Sequence, residues 1–324
     1  MAVSTLAKPG GHSRGLKNRL KLGDWLFTGL TAAGAIVVIA VIAGMFYELT
    51  DKAWPSIRAG GLSVIWDTNW DPGHKSFGVG AFIIGTLITS VFALVFATIV
   101  AVLVALFLVE IAPGWASRPV SYLIELLAAI PSVVYGLWGI FVMGVFIRDH
   151  FGPVMVDYLG WIPFLDGTPL ITGLLSACLI LTVMILPTVM AVSRDVIAAV
   201  PRSQREGVLA LGATRWEMIR IAVLPYARSG VLGAAILGLA RAVGETLAVT
   251  LVIGNSVKIP ENVFSPAYTM ASVIANQFPE ATGVHQAALI EVALILLGIT
   301  FVINVVARLL VWKVTGGQRA VVQE

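Results

Sequence analysis

The sequence predicts an all-α, polytopic membrane protein with six transmembrane helices. Composition is the first reason, because hydrophobic residues make up 58% of the 324-residue chain and charged residues only 12%. Soluble domains average about 45–50% apolar residues and about 25% charged residues. The second reason is that the apolar runs are continuous and reach the ~20 residues that a helix needs to cross a bilayer. A transmembrane β-barrel would instead show ~10-residue segments of alternating polarity.

The apolar runs divide the chain into a basic tail, residues 1–22, and a transmembrane domain, residues 23–324. The first run is too long for the ~7–15-residue hydrophobic core of a cleaved signal peptide, so it is interpreted as a retained helix. The second run exceeds the length needed for crossing and must tilt or project into water. The six predicted spans are 25–47, 77–109, 119–147, 169–192, 229–254 and 285–312.

The distribution of basic residues predicts the orientation. Fifteen of the 21 Lys and Arg lie in the amino tail, in segments 110–118 and 193–228, and in the tail from Arg308 onward. The three loops on the opposite side hold five Lys or Arg residues, and the remaining one, Arg241, lies inside a span. Because short cytoplasmic loops carry an excess of Lys and Arg, both termini are expected in the cytoplasm, as is segment 193–228.

The loops on the outer side carry weaker signals. Tryptophans in segment 48–76 suit the membrane–water boundary, namely Trp54, Trp66 and Trp70. Segments 148–168 and 255–284 are predicted as polar loops.

The single cysteine excludes an intrachain disulfide and argues against a metal cluster.

Segment 193–228 has the strongest local pattern. Ser203 with Glu206, and Thr214 with Glu217, each have the spacing of a capping box at a helix start. Gly212 between them suits a left-handed residue at a helix end. The segment therefore predicts two short amphipathic helices joined at a glycine. They could lie on anionic lipid or be the docking surface of a cytoplasmic partner.

Arg241 and Glu245 lie in the middle of the fifth apolar run. A charge inside a span costs at least ~2.5–3.5 kcal/mol on insertion scales and often marks a substrate or ion pathway. Their spacing places both side chains on one face of a continuous helix, where they would neutralise each other. A structural pair that fixes helix packing is the alternative.

Small residues continue that face toward the cytoplasm and would admit a closely packed neighbouring helix, namely Gly230, Ala234 and Gly238.

Other polar residues in the spans have two interpretations each. Pro131 should kink the third span and free a carbonyl, and Ser132 and Tyr135 follow it. Packing explains this stretch as well as a pathway role does. Glu125 and Glu291 would either line a pathway or form hydrogen bonds in the packed interior.

Two sets of residues resemble a known family. Glu206-Gly207-Val208, Gly212 and Leu224-Pro225 resemble the EAA loop of ABC-importer permeases. Gly207 and Val208 replace alanines of that motif, and Ala222 replaces its usual isoleucine. Segments 129–136 and 241–246 resemble the phosphate-specific permeases, and the continuation through residue 255 is similar to their C-type subunit. The resemblance extends from about Phe77 to the end of the chain.

That resemblance implies a type I ABC-importer permease core with cytoplasmic coupling helices, in a bacterial inner membrane. It implies a second permease subunit, two ATPase subunits that bind ATP and Mg²⁺, and an external phosphate-binding protein. Nucleic acid is not an expected partner. ATPase coupling would fall to Ser203, Glu206, Gly212, Thr214 and Glu217. None of the seven lysines follows a glycine, so the chain lacks a P-loop and is not expected to be an enzyme or to bind a cofactor.

A guanidinium offers planar paired donors that match phosphate oxygens, which makes Arg241 the expected ligand. Glu245 would neutralise Arg241 when no substrate is bound, and it would accept a hydrogen bond from a protonated phosphate oxygen. Since that pair is neutral overall, further donors are expected from the second permease subunit. Two alternatives stay open: a permease for sulfate, molybdate or phosphonate, and an ion-coupled secondary transporter.

Overall fold

The computed structural model describes the backbone of residues 13–316 and the side chains of residues 25–313. The chain divides into two units, one ending at Lys52 and one beginning at Ala53. The first unit holds most of helix α1, Ser13–Gly60, whose side chains from 25 to 45 are exposed. Residues 13–22, predicted as part of a flexible tail, are helical, and residues 1–12 of that tail lie outside the described residues.

The second unit contains the end of α1, a two-stranded antiparallel sheet and eleven further α-helices within the described residues. The strands are β1, Trp70–Asp71, and β2, Ser76–Phe77. The helices are α2 Gly80–Leu106, α3 Gly114–Ala129, α4 Ser132–Trp138, α5 Gly152–Leu159, α6 Leu174–Ala198, α7 Arg202–Ala210, α8 Arg215–Met218, α9 Leu224–Gly244, α10 Leu247–Val252, α11 Met270–Gln277 and α12 Val284–Gly316. Short π-helical turns cover Phe107–Ile111, Gly139–Gly144, Ile147–Phe151 and Ile219–Val223.

Six helical segments of the described chain are long and apolar enough to span a membrane, as the sequence predicts. Three of them differ markedly from the predicted bounds 25–47, 119–147 and 229–254, and lie at Trp25–Ile65, Ser132–Leu159 and Arg215–Gly244. Residues 148–159 were expected in a loop but are helical, since the π-helical turn Ile147–Phe151 continues directly into α5. Segment 255–284 contains helix α11, whose first N–H donates to the Thr86 hydroxyl of α2 at 2.9 Å.

Helices α2, α6 and α9 pack against one another to form the centre of the second unit. Four alanines spaced by four residues give α2 a fully buried stripe, and these are Ala93, Ala97, Ala101 and Ala105. On α9, a Cβ at Gly238 would lie 2.6 Å from Val189 Cγ2 of α6, and Gly230 faces Val196 of α6. The small-residue face of α9 therefore packs against α6 of the same chain.

The sheet anchors the loop that follows α1. Trp70 is 5% exposed and packs edge to face against Phe77 and Phe82. Its Nε1 donates to Gln277 Oε1 at 3.0 Å. Trp70 was expected at the membrane–water boundary and instead lies in an aromatic core, because the hairpin turns its indole inward. Trp54 and Trp66 are exposed, as that expectation requires.

Candidate functional site

Two interrupted helices meet in the second unit. The chain is extended at Ile130 and Pro131, between α3 and α4, and again at Glu245, between α9 and α10. Helix α4 packs directly on α10. The two breaks therefore belong to one packed region, and this region holds Arg241.

The first break follows from proline chemistry. Pro131 has no N–H to donate to the Leu127 carbonyl four residues earlier, and it disfavours a helical conformation at Ile130. The Tyr135 hydroxyl donates to this carbonyl at 2.7 Å, and the Ile130 N–H reaches it at 3.3 Å. Tyr135 is 6% exposed and thus replaces inside the protein the hydrogen bond that the proline removes.

The second break corrects the expected Arg241–Glu245 pair. Helix α9 ends at Gly244, and Glu245 adopts an extended conformation with ψ 126°. Glu245 Oε1 accepts from the Ala248 N–H at 3.2 Å, and the Thr246 hydroxyl donates to the Gly244 carbonyl at 3.2 Å. These local bonds replace the helical ones. Glu245 therefore caps α10, and no ion pair within 4.0 Å joins it to Arg241 in the described part of the chain.

Arg241 lies in the last turn of α9 and is half-buried. Within the described residues its side chain has one polar contact, from Nη1 to the Thr188 hydroxyl of α6 at 3.5 Å. A guanidinium carries five N–H donors in a fixed plane, so most of its donors are left for an anionic ligand.

Glycines allow the close approach of α4 to its neighbours. A Cβ at Gly136 would lie 2.6 Å from Leu251 Cδ1 and 3.1 Å from the Ala248 Cα of α10. A Cβ at Gly139 would lie 2.7 Å from Val252 Cγ1. Any side chain at these positions would force α4 and α10 apart, so the relative position of the two breaks depends on the glycines.

The other candidates are not brought to Arg241. Glu125 lies on α3 and forms an ion pair with Arg194 of α6 at 3.2 Å, with about half of its side chain exposed. Glu291 on α12 is 5% exposed, hydrogen-bonds to Ser56, and has a second carboxylate oxygen with no partner in the described residues.

Residues around the first break form a largely apolar surface. Pro131 is exposed and Ser132 is half-buried. An open cavity of about 290 Å³ beside them is lined by Leu127, Ile130, Val134, Tyr135, Trp138 and Val183. Because this lining is apolar, the cavity itself offers no site for an anion.

Residues 202–223, the part of the chain expected to couple to an ATPase and named the coupling segment for that expectation, form two short helices joined at a glycine, as predicted. Gly212 has φ +87° and ends α7, and Thr214 with Glu217 forms a complete capping box at α8. The expected box at Ser203 and Glu206 is absent. Helix α7 starts at Arg202 with Pro201 at its N-cap, because Pro201 is extended and its carbonyl accepts from the Gln204 N–H. Ser203 is therefore inside the first turn.

The coupling segment has several large apolar side chains exposed on its surface, which are Leu209, Leu211, Trp216 and Ile221. Leu211, next to Gly212, is 89% exposed. If these side chains form one contiguous patch, they mark a protein or membrane contact surface.

Comparison with known proteins now identifies the family. Residues 97–316 match the family described as the binding-protein-dependent transport system inner membrane component. The chain belongs to this permease family. The permease is 43% identical over 292 residues to the phosphate transport system permease protein PstC of Haemophilus influenzae, covering 89% of this chain and 93% of that protein. It is also 43% identical to the Pasteurella multocida protein of the same name, covering 90% and 92%.

Solved structures agree on the fold of the permease. A chain of a bacterial alginate ABC transporter in complex with an alginate pentasaccharide-bound periplasmic protein aligns with a TM-score of 0.59 at 15% identity, covering 88% of this chain and 93% of that one. A chain of the MetNI methionine ABC transporter aligns with a TM-score of 0.52 at 19% identity, covering 73% and 97%. At these identities the likeness establishes an ABC-importer permease fold and nothing about cargo.

Sequence reasoning missed two polar contacts of the permease. Thr188 meets Arg241 from another helix, and its only local signal is a hydroxyl next to Pro187 inside an apolar run. Arg205 pairs with Glu110, which lies 95 residues away, so no spacing pattern could reveal it.

Proposed function

We propose that this chain is a transmembrane subunit of an ATP-driven importer that moves inorganic phosphate from an external binding protein into the cytoplasm, through a pathway shared with a second permease subunit. The observation that carries the proposal is Arg241, a basic side chain inside a span, placed at a helix break with one long polar contact among the described residues. Relatives named as phosphate permeases at 43% identity support phosphate as the cargo.

The chemistry of the region suits an oxyanion. Arg241 would donate to phosphate oxygens in charge-assisted hydrogen bonds, which are about twice as strong as neutral ones. One carboxylate oxygen of Glu245 accepts a hydrogen bond from the Ala248 N–H. The other oxygen would accept a hydrogen bond from a protonated phosphate oxygen. Sulfate has no such proton at neutral pH. Further donors come from the second permease subunit, because the arginine and the glutamate together are neutral.

The energy comes from elsewhere in the complex. Two cytoplasmic ATPase subunits bind ATP and Mg²⁺ and grip the coupling segment through its exposed apolar side chains and through Glu206 and Glu217. Their closure moves the coupling segment, and the pathway opens alternately to either side. The excess of Lys and Arg in these parts of the chain supports a cytoplasmic location for the coupling segment and both termini. The loop with β1 and β2 then faces the binding protein.

Reconstitution tests this function. The permease with its partner subunits in proteoliposomes is expected to import labelled phosphate when ATP and binding protein are present. Excess sulfate, molybdate or phosphonate should leave that uptake unchanged. Uptake that persists with a catalytically inactive ATPase would contradict the ATP-driven mechanism and support a secondary transporter. Efficient competition by another oxyanion would reassign the cargo.

A further inference from the structure

Arg205 is the inward-facing charge of α7. No residue of this helix is fully buried, yet the Arg205 side chain is only 17% exposed. Its immediate neighbours Gln204 and Glu206 are exposed. The arginine therefore points from the coupling segment toward the membrane-spanning helices, opposite to the surface that the ATPase would grip.

The Arg205 guanidinium binds two helix ends at once. Its Nη2 and Nε lie 2.9 Å and 3.1 Å from Glu110 Oε1, in the π-helical turn that ends α2. Its Nη1 donates to the Val200 carbonyl at 2.6 Å, and its Nη2 donates to the Ile197 carbonyl at 2.8 Å. Glu110 is 7% exposed. One planar group thus joins α7 to the ends of α2 and α6.

The structure assigns Arg205 a positioning role in transport: it transmits displacement of the coupling segment to α2 and α6. This inference rests on the proposed function. The connection continues to the candidate site, because Thr188 on α6 contacts Arg241 and lies nine residues from Ile197, or about 13 Å along the helix. A lysine would keep the charge but not the planar fork that holds three acceptors in fixed directions.

A purely structural ion pair would also stabilise the fold, so the test must separate assembly from coupling. The measured quantity is the number of phosphate ions imported per ATP hydrolysed by the complete reconstituted complex. Arg205→Met is expected to lower this ratio at least ~10-fold, within the ~5–150-fold range of typical site-to-site coupling. The matched control is Arg118→Met, which removes the same charge from an exposed position of α3 outside the coupling segment and should keep the wild-type ratio.

Two further variants keep the proposal testable if Arg205→Met does not assemble. Glu110→Gln should lower the ratio as Arg205→Met does, and combining the two should add little, because both remove the same link. Arg205→Lys should assemble and still lower the ratio ~5-fold or more, since the bonds to the two carbonyls are lost. A wild-type ratio in assembled Arg205→Lys and Glu110→Gln complexes would overturn the proposal.

A second readout does not depend on the cargo. Spin labels at Leu103→Cys on α2 and Gly207→Cys on α7, with Cys178 replaced by Ala, report the distance between these helices. In the wild-type background this distance should stay constant when ATP binds, and in Arg205→Met it should change. A constant distance in both would overturn the link. If the wild-type complex imports no phosphate, the proposed function fails while this measurement still decides the role of Arg205.

Discussion

The Tyr135 hydroxyl donates a 2.7 Å hydrogen bond to the Leu127 carbonyl, the group that Pro131 deprives of its helical N–H. This contact joins α3 to α4 across their break. Since α4 packs on α10, the same contact helps to fix the region in which Arg241 lies.

Tyr135→Phe tests this contact. Removing the hydroxyl leaves the Leu127 carbonyl with only the 3.3 Å bond from Ile130, so we expect a loss of about 1–3 kcal/mol in the free energy of unfolding. This loss is measured by comparing the unfolding of the purified wild-type and variant permease in detergent. Tyr122→Phe removes an equivalent hydroxyl from an exposed position of α3 and should be neutral. Equal stability of the two variants would contradict the account.

Gly136→Ala tests the close packing of α4 on α10. Its methyl group would lie 2.6 Å from Leu251 Cδ1, and overpacking of this kind typically costs about 1–3 kcal/mol. The variant should unfold at lower temperature than the wild type. Gly233→Ala in α9 has open space around its Cβ and should be neutral or stabilising by up to ~1 kcal/mol. A destabilised Gly233→Ala beside an unchanged Gly136→Ala would show that the packing is misassigned.

Gly212→Pro tests the bend between α7 and α8. Proline is locked near φ −65°, whereas this residue has φ +87°, and the Gly212 N–H bond to the Leu209 carbonyl is also lost. We expect ATP hydrolysis by the reconstituted complex to continue while phosphate import falls at least ~10-fold. Gly233→Ala, in an open helical position of α9 outside the coupling segment, is the control. Wild-type import per ATP in Gly212→Pro would argue against the bend as part of coupling.

The His74–Asp71 pair predicts a pH dependence of the hairpin formed by β1 and β2. His74 Nδ1 lies 2.6 Å from Asp71 Oδ2, and the hydrogen bond with Asp71 raises the pKa of His74 above its ordinary 6.5. The same bond lowers the pKa of Asp71 below 3.8. The histidine contribution to hairpin stability is therefore complete below pH 6.5 and lost as pH rises through the raised pKa. The aspartate contribution is present above pH 3.8 and lost as pH falls through the lowered pKa.

An NMR titration of the His74 ring measures this effect. Asp71→Asn should bring the His74 pKa down toward 6.5, because the carboxylate partner is gone. An unchanged His74 pKa in Asp71→Asn would show that the two side chains do not pair in solution.

Local chemistry made much of this protein predictable. The six apolar runs, the left-handed Gly212, the Thr214–Glu217 box and the kink at Pro131 each depend on a few adjacent residues, and the structure confirms them. The break at Glu245 was missed, because the carboxylate that was expected to pair with Arg241 bonds to the next helical turn instead.

Contacts between distant segments could not be predicted. The small-residue face of α9 indicates close packing but not with which helix, and the answer, α6, comes only from the fold. Thr188 reaches Arg241 across 53 residues, and Arg205 reaches Glu110 across 95. No periodicity in the sequence encodes such pairs.

Phosphate uptake by the Arg241→Gln complex tests the central claim most directly. Glutamine keeps a polar side chain but loses the charge, and hydrogen bonds to charged groups contribute about 1.5–3 kcal/mol, so uptake at low phosphate should fall about 10- to 150-fold while the subunits still assemble. Arg118→Gln, at an exposed position of α3 outside the coupling segment, should transport normally. Wild-type uptake by an assembled Arg241→Gln complex would contradict the account and leave this arginine a structural role only.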